Sequence, residues 1–132
     1  MVAGAARADG DLASGYFLRP TVFADVQDEM TIAREEIFGP VATIMTYDDL
    51  EQAIEIANDT PYGLGSYVYT TDSQQALRVA DALDTGMVYI NGVGLDAPEL
   101  PFGGTKRSGF GRELGPLGIE EFLNKKLIRI NG

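Results

Sequence analysis

The chain has 132 residues, of which 45% are hydrophobic and 23% charged, a composition typical of one folded domain. Its formal net charge of −10 argues against a nucleic-acid partner and against an anionic membrane surface. The sequence contains neither a membrane-span pattern nor a signal peptide, so we expect a cytoplasmic protein. Because cysteine and histidine are absent, we expect no disulfide and no metal site.

Apolar patterning predicts strands and helices that alternate after a loop at residues 1–14. In chain order these are a strand at 16–23, a helix at 28–37, a strand at 41–47, a helix at 48–57, a strand at 64–70, a helix at 73–83, a strand at 86–91, a loop at 92–115, a helix at 116–123 and a strand at 125–130. In the helix at 48–57, Asp48 is the predicted N-cap and Glu51 its capping-box partner. The alternation implies an α/β fold: one domain over residues 1–132, with a mostly parallel sheet and flanking helices.

The loop at residues 92–115 is unusually long for a compact domain, and loops of this kind are usually functional. It follows a predicted strand, so it emerges at the carboxyl edge of the sheet, where α/β proteins bind ligands. Residues 92–97 fit the pattern G-x-G-x-x-A. However, Pro98 and Pro101 prevent the helix that would hold a pyrophosphate there, so we reject a dinucleotide loop.

Glu35 and Glu36 form an acidic pair just before the turn Ile37-Phe38-Gly39-Pro40. Acidic residues at the end of a helix oppose its dipole, which indicates a role other than helix stabilisation. A carboxylate can accept hydrogen bonds from two vicinal ribose hydroxyls, and an adjacent aromatic side chain can pack on a ring. The alternative interpretation is a solvated helix end.

Five short segments occur in an order and spacing that chance is very unlikely to produce. They are G-Y-F-L-R-P-T-V-F at residues 15–23, E-E-I-F-G-P at 35–40, N-D-T-P-Y-G-L at 58–64, G-M-V-Y-I-N at 86–91 and P-F-G-G-T-K-R-S-G-F-G-R-E at 101–113. Together they resemble the C-terminal part of the catalytic domain of NAD(P)-dependent aldehyde dehydrogenases. The tail, residues 109–124, is most similar to that of semialdehyde dehydrogenases.

The resemblance implies roles for individual residues. Glu36 would bind the nicotinamide-ribose hydroxyls of NAD or NADP, and Phe38 would contact the nicotinamide side. Phe102 would lie near the reacting carbon of the aldehyde, with Asp96 and Glu99 as further pocket residues. The strand predicted at residues 125–130 is similar to the family's oligomerisation strand, which implies a homo-oligomer and would cover an exposed sheet edge.

The resemblance also shows what this chain lacks. The family oxidises an aldehyde to a carboxylic acid through a cysteine thiohemiacetal, hydride transfer and thioester hydrolysis. This sequence has no cysteine, and no counterpart of the dinucleotide-binding domain, the general base or the oxyanion-hole Asn. It therefore offers no catalytic residue, and we expect the chain alone to be an inactive part of the enzyme. Two alternatives remain: a non-catalytic interaction module, or half of a split enzyme whose partner carries the cysteine.

The substrate of the complete enzyme would be a small aldehyde. A carboxylated aldehyde requires positive or hydroxyl groups near its far end, whereas the pocket loop offers Asp96 and Glu99 and neither Ser nor Arg between Gly92 and Pro101. Since like charges at close range cost binding energy, this loop favours a neutral or cationic aldehyde over a semialdehyde.

Overall fold

The computed structural model describes residues 3–94 and 96–132, which form the two compact units Met1–Ile56 and Ala57–Gly132. Its helices and short parallel strand pairs confirm the α/β class. In chain order the elements are a 3-10 helix Gly10–Leu12, β1 Thr21–Phe23, α1 Thr31–Arg34, β2 Val41–Thr43, α2 Leu50–Asn58, β3 Tyr62–Gly63, β4 Gly65–Val68, α3 Ser73–Ala82, β5 Met87–Ile90, β6 Thr105–Lys106 and α4 Gly115–Glu120.

The first unit is built on the parallel pair β1–β2. Thr21 at the start of β1 is buried, and its hydroxyl donates to the Arg19 carbonyl and accepts from the Ala5 amide, both at 2.9 Å. The segment before β1 is also paired: Ala3, in the stretch predicted to be loop, forms an antiparallel bridge with Val22 of β1. These contacts fix β1, and the Thr21 amide of β1 in turn donates a hydrogen bond to Pro40 in the turn at residues 35–40.

The second unit is built on a β4–α3–β5 unit, as the sequence predicts. β4 and β5 are parallel, with Tyr67 opposite Tyr89. Between them α3 buries Ala76 and Val79, which lie about one helical turn apart, whereas Leu77 is exposed. The helix begins at Asp72, whose carboxylate accepts hydrogen bonds from the two following N-terminal amides at 2.9 and 3.1 Å.

Capping of α2 differs in detail from the prediction. The carboxylate of Asp49 accepts from the Gln52 amide at 2.9 Å, and the Gln52 side chain accepts from the Asp48 amide at 2.6 Å. The described capping contacts therefore lie one residue later than the predicted pair Asp48 and Glu51. The cause is local: Asp-Asp followed by Glu-Gln offers the same chemistry in two registers.

Within residues 3–94 and 96–132, the strands form three two-stranded pairs. The third pair, β3–β6, is antiparallel and places Gly63 opposite Thr105, inside the predicted loop at 92–115. Phe102 and Glu113 form a further antiparallel bridge in the same loop. The sequence did not reveal these pairings because they join two-residue segments or single residues, which carry no periodicity.

The predicted strand at residues 125–130 is not formed within this chain. Residues 124–132 have neither helix nor strand and are exposed. The physical reason is that a strand requires a partner edge, and none of the described residues supplies one there. The domain boundary of 1–132 stays a prediction. No helix within residues 3–94 and 96–132 is long and apolar enough to cross a membrane.

Candidate functional site

Phe38 lies on an exposed turn that follows α1. The Glu35 amide closes the helix by donating to its first carbonyl at 2.9 Å, and the Pro40 carbonyl accepts from the Thr21 amide of β1 at 2.8 Å. Between these two fixed points Phe38 has a φ of 49°, and its side chain is 95% exposed. The left-handed region is unfavourable for an aromatic residue, and outliers of this kind cluster at ligand sites.

Glu36 precedes Phe38 on the same exposed turn. Within the described part of the chain its carboxylate has no hydrogen-bond or ion-pair partner. The nearby guanidinium of Arg34 contacts Asp28 at 2.6 Å. Both oxygens of Glu36 are therefore available to accept from the two hydroxyls of a ribose, and the exposed ring of Phe38 is available to pack on a flat heterocycle.

Phe102 and Glu99 line an open, mainly apolar cleft of about 1050 Å³ in the second unit. The backbone of Phe102 is fixed by its bridge to Glu113, with N–O distances of 2.8 and 2.6 Å. The other large apolar residues of the cleft are Leu64, Phe110, Leu114, Ile119 and Phe122. The cleft is thus shaped by the loop around P-F-G-G and by α4.

Asp96 lines a different, smaller cavity of about 190 Å³, which Phe102 also borders. The Tyr89 hydroxyl donates a hydrogen bond to the Asp96 carboxylate, and the Tyr89 ring stacks on Tyr67 with centroids 5.3 Å apart. The bond to Asp96, with a smaller contribution from desolvation, raises the pKa of Tyr89 to about 12. Of the three residues predicted to form the pocket, Phe102 therefore borders both cavities, whereas Glu99 lines the large one and Asp96 the small one.

A set of polar contacts that the sequence did not reveal holds the P-F-G-G loop in place. Arg112 donates to the carbonyls of Gly104 at 2.9 Å and Gly111 at 2.7 Å. Lys106 donates to the Asn58 carbonyl at 2.9 Å. A sequence signal that could have indicated them is the group of three cationic residues within residues 106–112. Glycine alone cannot fix the conformation of such a Gly-rich segment, so these side chains are candidates for doing so.

The backbone at Gly86 approaches the backbone at Gly103 so closely that position 86 has no room for a side chain. A methyl group at position 86 would overlap the Gly103 carbonyl oxygen and lie 2.7 Å from the Cα atom of Gly104. The backbone of Gly86, immediately before β5, is therefore in direct contact with the backbone of the P-F-G-G loop. This contact anchors the loop on the β4–β5 pair, next to Phe102.

Comparison with known proteins decides the family. The model of the aldehyde dehydrogenase family matches residues 1–128. The chain belongs to this family. Putative aldehyde dehydrogenases of Staphylococcus saprophyticus and Staphylococcus haemolyticus are 56% and 55% identical over 117 residues, which is 89% of this chain and 24% of each relative. The chain thus spans about a quarter of the length of these aldehyde dehydrogenases.

Solved aldehyde dehydrogenases have the same fold over the matched part. One from Mycobacterium tuberculosis, complexed with NAD+, is 52% identical with a TM-score of 0.86 and covers 92% of this chain and 25% of its own. A betaine aldehyde dehydrogenase point mutant from Staphylococcus aureus, also in complex with NAD+, is 43% identical with a TM-score of 0.90. The match covers 95% of this chain and 26% of the Staphylococcus enzyme. These matches confirm the resemblance that the five motifs indicate.

Proposed function

We propose that this chain is the C-terminal part of the catalytic domain of an NAD(P)-dependent aldehyde dehydrogenase. It contributes a clamp for the nicotinamide end of the cofactor, one wall of the aldehyde pocket and an oligomerisation tail. The observation that carries the proposal is the exposed E-E-I-F-G-P turn, on which Glu36 is unpaired among the described residues and Phe38 occupies a strained backbone conformation. Strain of this kind persists where a ligand site requires it.

The residues present fit the nicotinamide end of a dinucleotide. Glu36 accepts from the two ribose hydroxyls, and the ring of Phe38 limits the position of the nicotinamide. NAD is the favoured cofactor, because the similar Mycobacterium and Staphylococcus enzymes were solved with NAD+. The bound nicotinamide supplies a hydride acceptor; this chain supplies its orientation.

Phe102 forms the proposed pocket wall and keeps water away from the reacting carbon. Its apolar ring and the carboxylate of Glu99 border the same cleft. A carboxylated aldehyde in this cleft would meet a like charge, whereas an uncharged or cationic one would not. We therefore assign a neutral or cationic small aldehyde as the substrate of the complete enzyme.

The exposed tail supports association with another chain. Phe122 and Leu127 are 91% and 90% exposed, and Ile128 and Ile130 are exposed as well. Apolar residues clustered in this way mark interaction surfaces. We propose that residues 125–130 become a strand when a neighbouring subunit supplies the sheet edge that the described chain does not.

A hybrid enzyme tests the cofactor clamp. Residues 1–128 of this chain would replace the matching part of the Staphylococcus saprophyticus relative. We expect E36Q to raise KM for NAD about tenfold, because a charged acceptor of two hydrogen bonds is lost. The matched control E35Q changes the neighbouring carboxylate and should leave KM for NAD unchanged.

Equal effects of E36Q and E35Q on KM for NAD would overturn the proposed clamp.

A second measurement tests whether the chain alone is inactive: aldehyde-dependent NADH formation by the pure 132-residue protein would refute this. Co-expression with an intact relative addresses the interaction module. A stable mixed complex that changes no kinetic constant of the relative would favour that alternative over a catalytic part.

A further inference from the structure

Asp96 contacts a side chain of β5 and lines a cavity other than the large cleft. Its carboxylate accepts from the Tyr89 hydroxyl and lines the small cavity, whereas Glu99, three residues later, lines the large cleft. Two acids from one short loop thus face two different spaces. The Tyr89 contact is what the structure offers to account for this separation.

Tyr89 is well placed to act as a fixed donor. It lies in the middle of β5, opposite Tyr67 of β4, and the two rings stack with an interplanar angle of 22°. Its hydroxyl also lies 3.4 Å from the sulfur of Met87 in the same strand. A side chain held by a sheet and by a ring stack loses little further freedom when it binds Asp96.

Among residues 96–102, the hydrogen bonds to the rest of the described chain lie mainly at the far end. At its far end Phe102 is fixed by the Glu113 bridge, and the Pro98 carbonyl accepts from the Gly115 amide at 3.0 Å. The hydrogen bond from the Leu100 amide to Ala97 at 2.9 Å lies within the loop itself. Asp96, at the near end, is therefore tied to the sheet through Tyr89.

We propose that Tyr89 is a specificity-determining positioning residue that keeps the negative charge of Asp96 out of the aldehyde cleft. The inference rests on the proposed function, since it takes the cleft beside Phe102 and Glu99 as the aldehyde pocket. With Tyr89 in place, the acid that a substrate meets in the cleft is Glu99. Without the hydroxyl, Asp96 is free to turn toward the cleft and adds a second negative charge.

The first test examines the pair in the 132-residue chain itself. Tyrosine titration by NMR should find one phenol with a pKa of about 12. D96A should lower it toward about 10, the ordinary value for tyrosine, because the bond to Asp96 is the largest cause of the shift. The matched control E99Q removes the other acid of the loop and should leave this titration unchanged. A titration that D96A does not alter would mean that the pair is not formed, which overturns the proposal.

The second test measures selectivity in the hybrid enzyme described above. The readout is kcat/KM for succinate semialdehyde divided by kcat/KM for butanal. Y89F should lower this ratio about threefold or more, because a second like charge acts only on the carboxylated substrate. Y67F, which removes the hydroxyl from the stacked partner ring, should leave the ratio unchanged. The double variant Y89F/D96N should restore it, because the released side chain then carries no charge.

The outcomes separate the possible failures. An equal loss of activity toward both aldehydes in Y89F would show a packing role only and overturn the specificity role. Failure of the hybrid with the unaltered segment to oxidise any aldehyde would refute the proposed function, and the inference with it. That failure appears before any substitution is made, so it cannot be confused with failure of the Tyr89 role, which appears only in the variants.

Discussion

Gly86 offers the sharpest test of the way the pocket loop is anchored. In G86A the new methyl group would overlap the Gly103 carbonyl oxygen and lie 2.7 Å from both the Gly103 carbonyl carbon and the Gly104 Cα atom. Ordinary carbon–carbon contacts are about 3.5–4.0 Å. All three atoms belong to the backbone, so no side-chain rotation can relieve the overlap, and the P-F-G-G loop must shift by about an ångström.

The energetic cost follows from the nature of the contact. Overpacking typically costs about 1–3 kcal/mol, and a clash with rigid backbone belongs at the upper end, about 3 kcal/mol. For a unit of this size each kcal/mol lowers Tm by about 4–8 °C, so G86A should melt at least about 12 °C below the unaltered chain. The loop should also lose its hold on Phe102, because Gly103 is the neighbouring residue.

Thermal unfolding followed by circular dichroism is the appropriate assay. The matched control is G65A at the start of β4, where a methyl group would meet the Met87 side chain at an ordinary 3.5 Å. We expect G65A to change Tm by no more than about 4 °C, because a compatible alanine costs little or slightly stabilises. If G86A and G65A melt at the same temperature, the close backbone approach does not anchor the loop.

Two further predictions concern the sheet and its helix. D72A removes the N-cap of α3 and should cost about 1 kcal/mol in urea unfolding, whereas D81A on the exposed side of the same helix should change stability by less than about 0.5 kcal/mol; equal effects would contradict the cap. Because the pKa of Tyr89 is raised to about 12 in the folded chain, its bond to Asp96 stabilises the fold fully below pH about 10 and is lost as pH rises through 12. The difference in urea midpoint between the unaltered chain and Y89F should therefore vanish between these pH values; a constant difference would refute the linkage.

Elements with local signals could be predicted from the sequence. The helix predicted at residues 73–83 is found at Ser73–Ala82, because its apolar spacing is a local signal. The β-α-β unit follows from the alternation of such patterns along the chain. The family could also be read, because its motifs are contiguous segments whose order is visible without any fold.

Features that depend on distant contacts could not be predicted. β6 exists only because Thr105 meets Gly63, 42 residues earlier. The left-handed conformation of Phe38 gives no signal, since glycine is the residue expected at a positive φ. Asp96 and Glu99 are close in sequence and were grouped as pocket residues, but they line separate cavities, and Asp96 accepts a hydrogen bond from Tyr89 of β5.

The spacing of contacts along the chain has a consequence for how the domain assembles. β4, α3 and β5 lie within residues 65–90 and pair with their neighbours in sequence, whereas the loop carrying Phe102 is fixed by β6, which must find β3 across 42 residues. Contacts of short sequence separation form first because they close smaller loops. We therefore expect the β4–β5 pair to fold early and the loop carrying Phe102 to dock last. Mild heating or denaturant should reverse this order, so that the Phe102 loop detaches while the β-α-β unit is still intact.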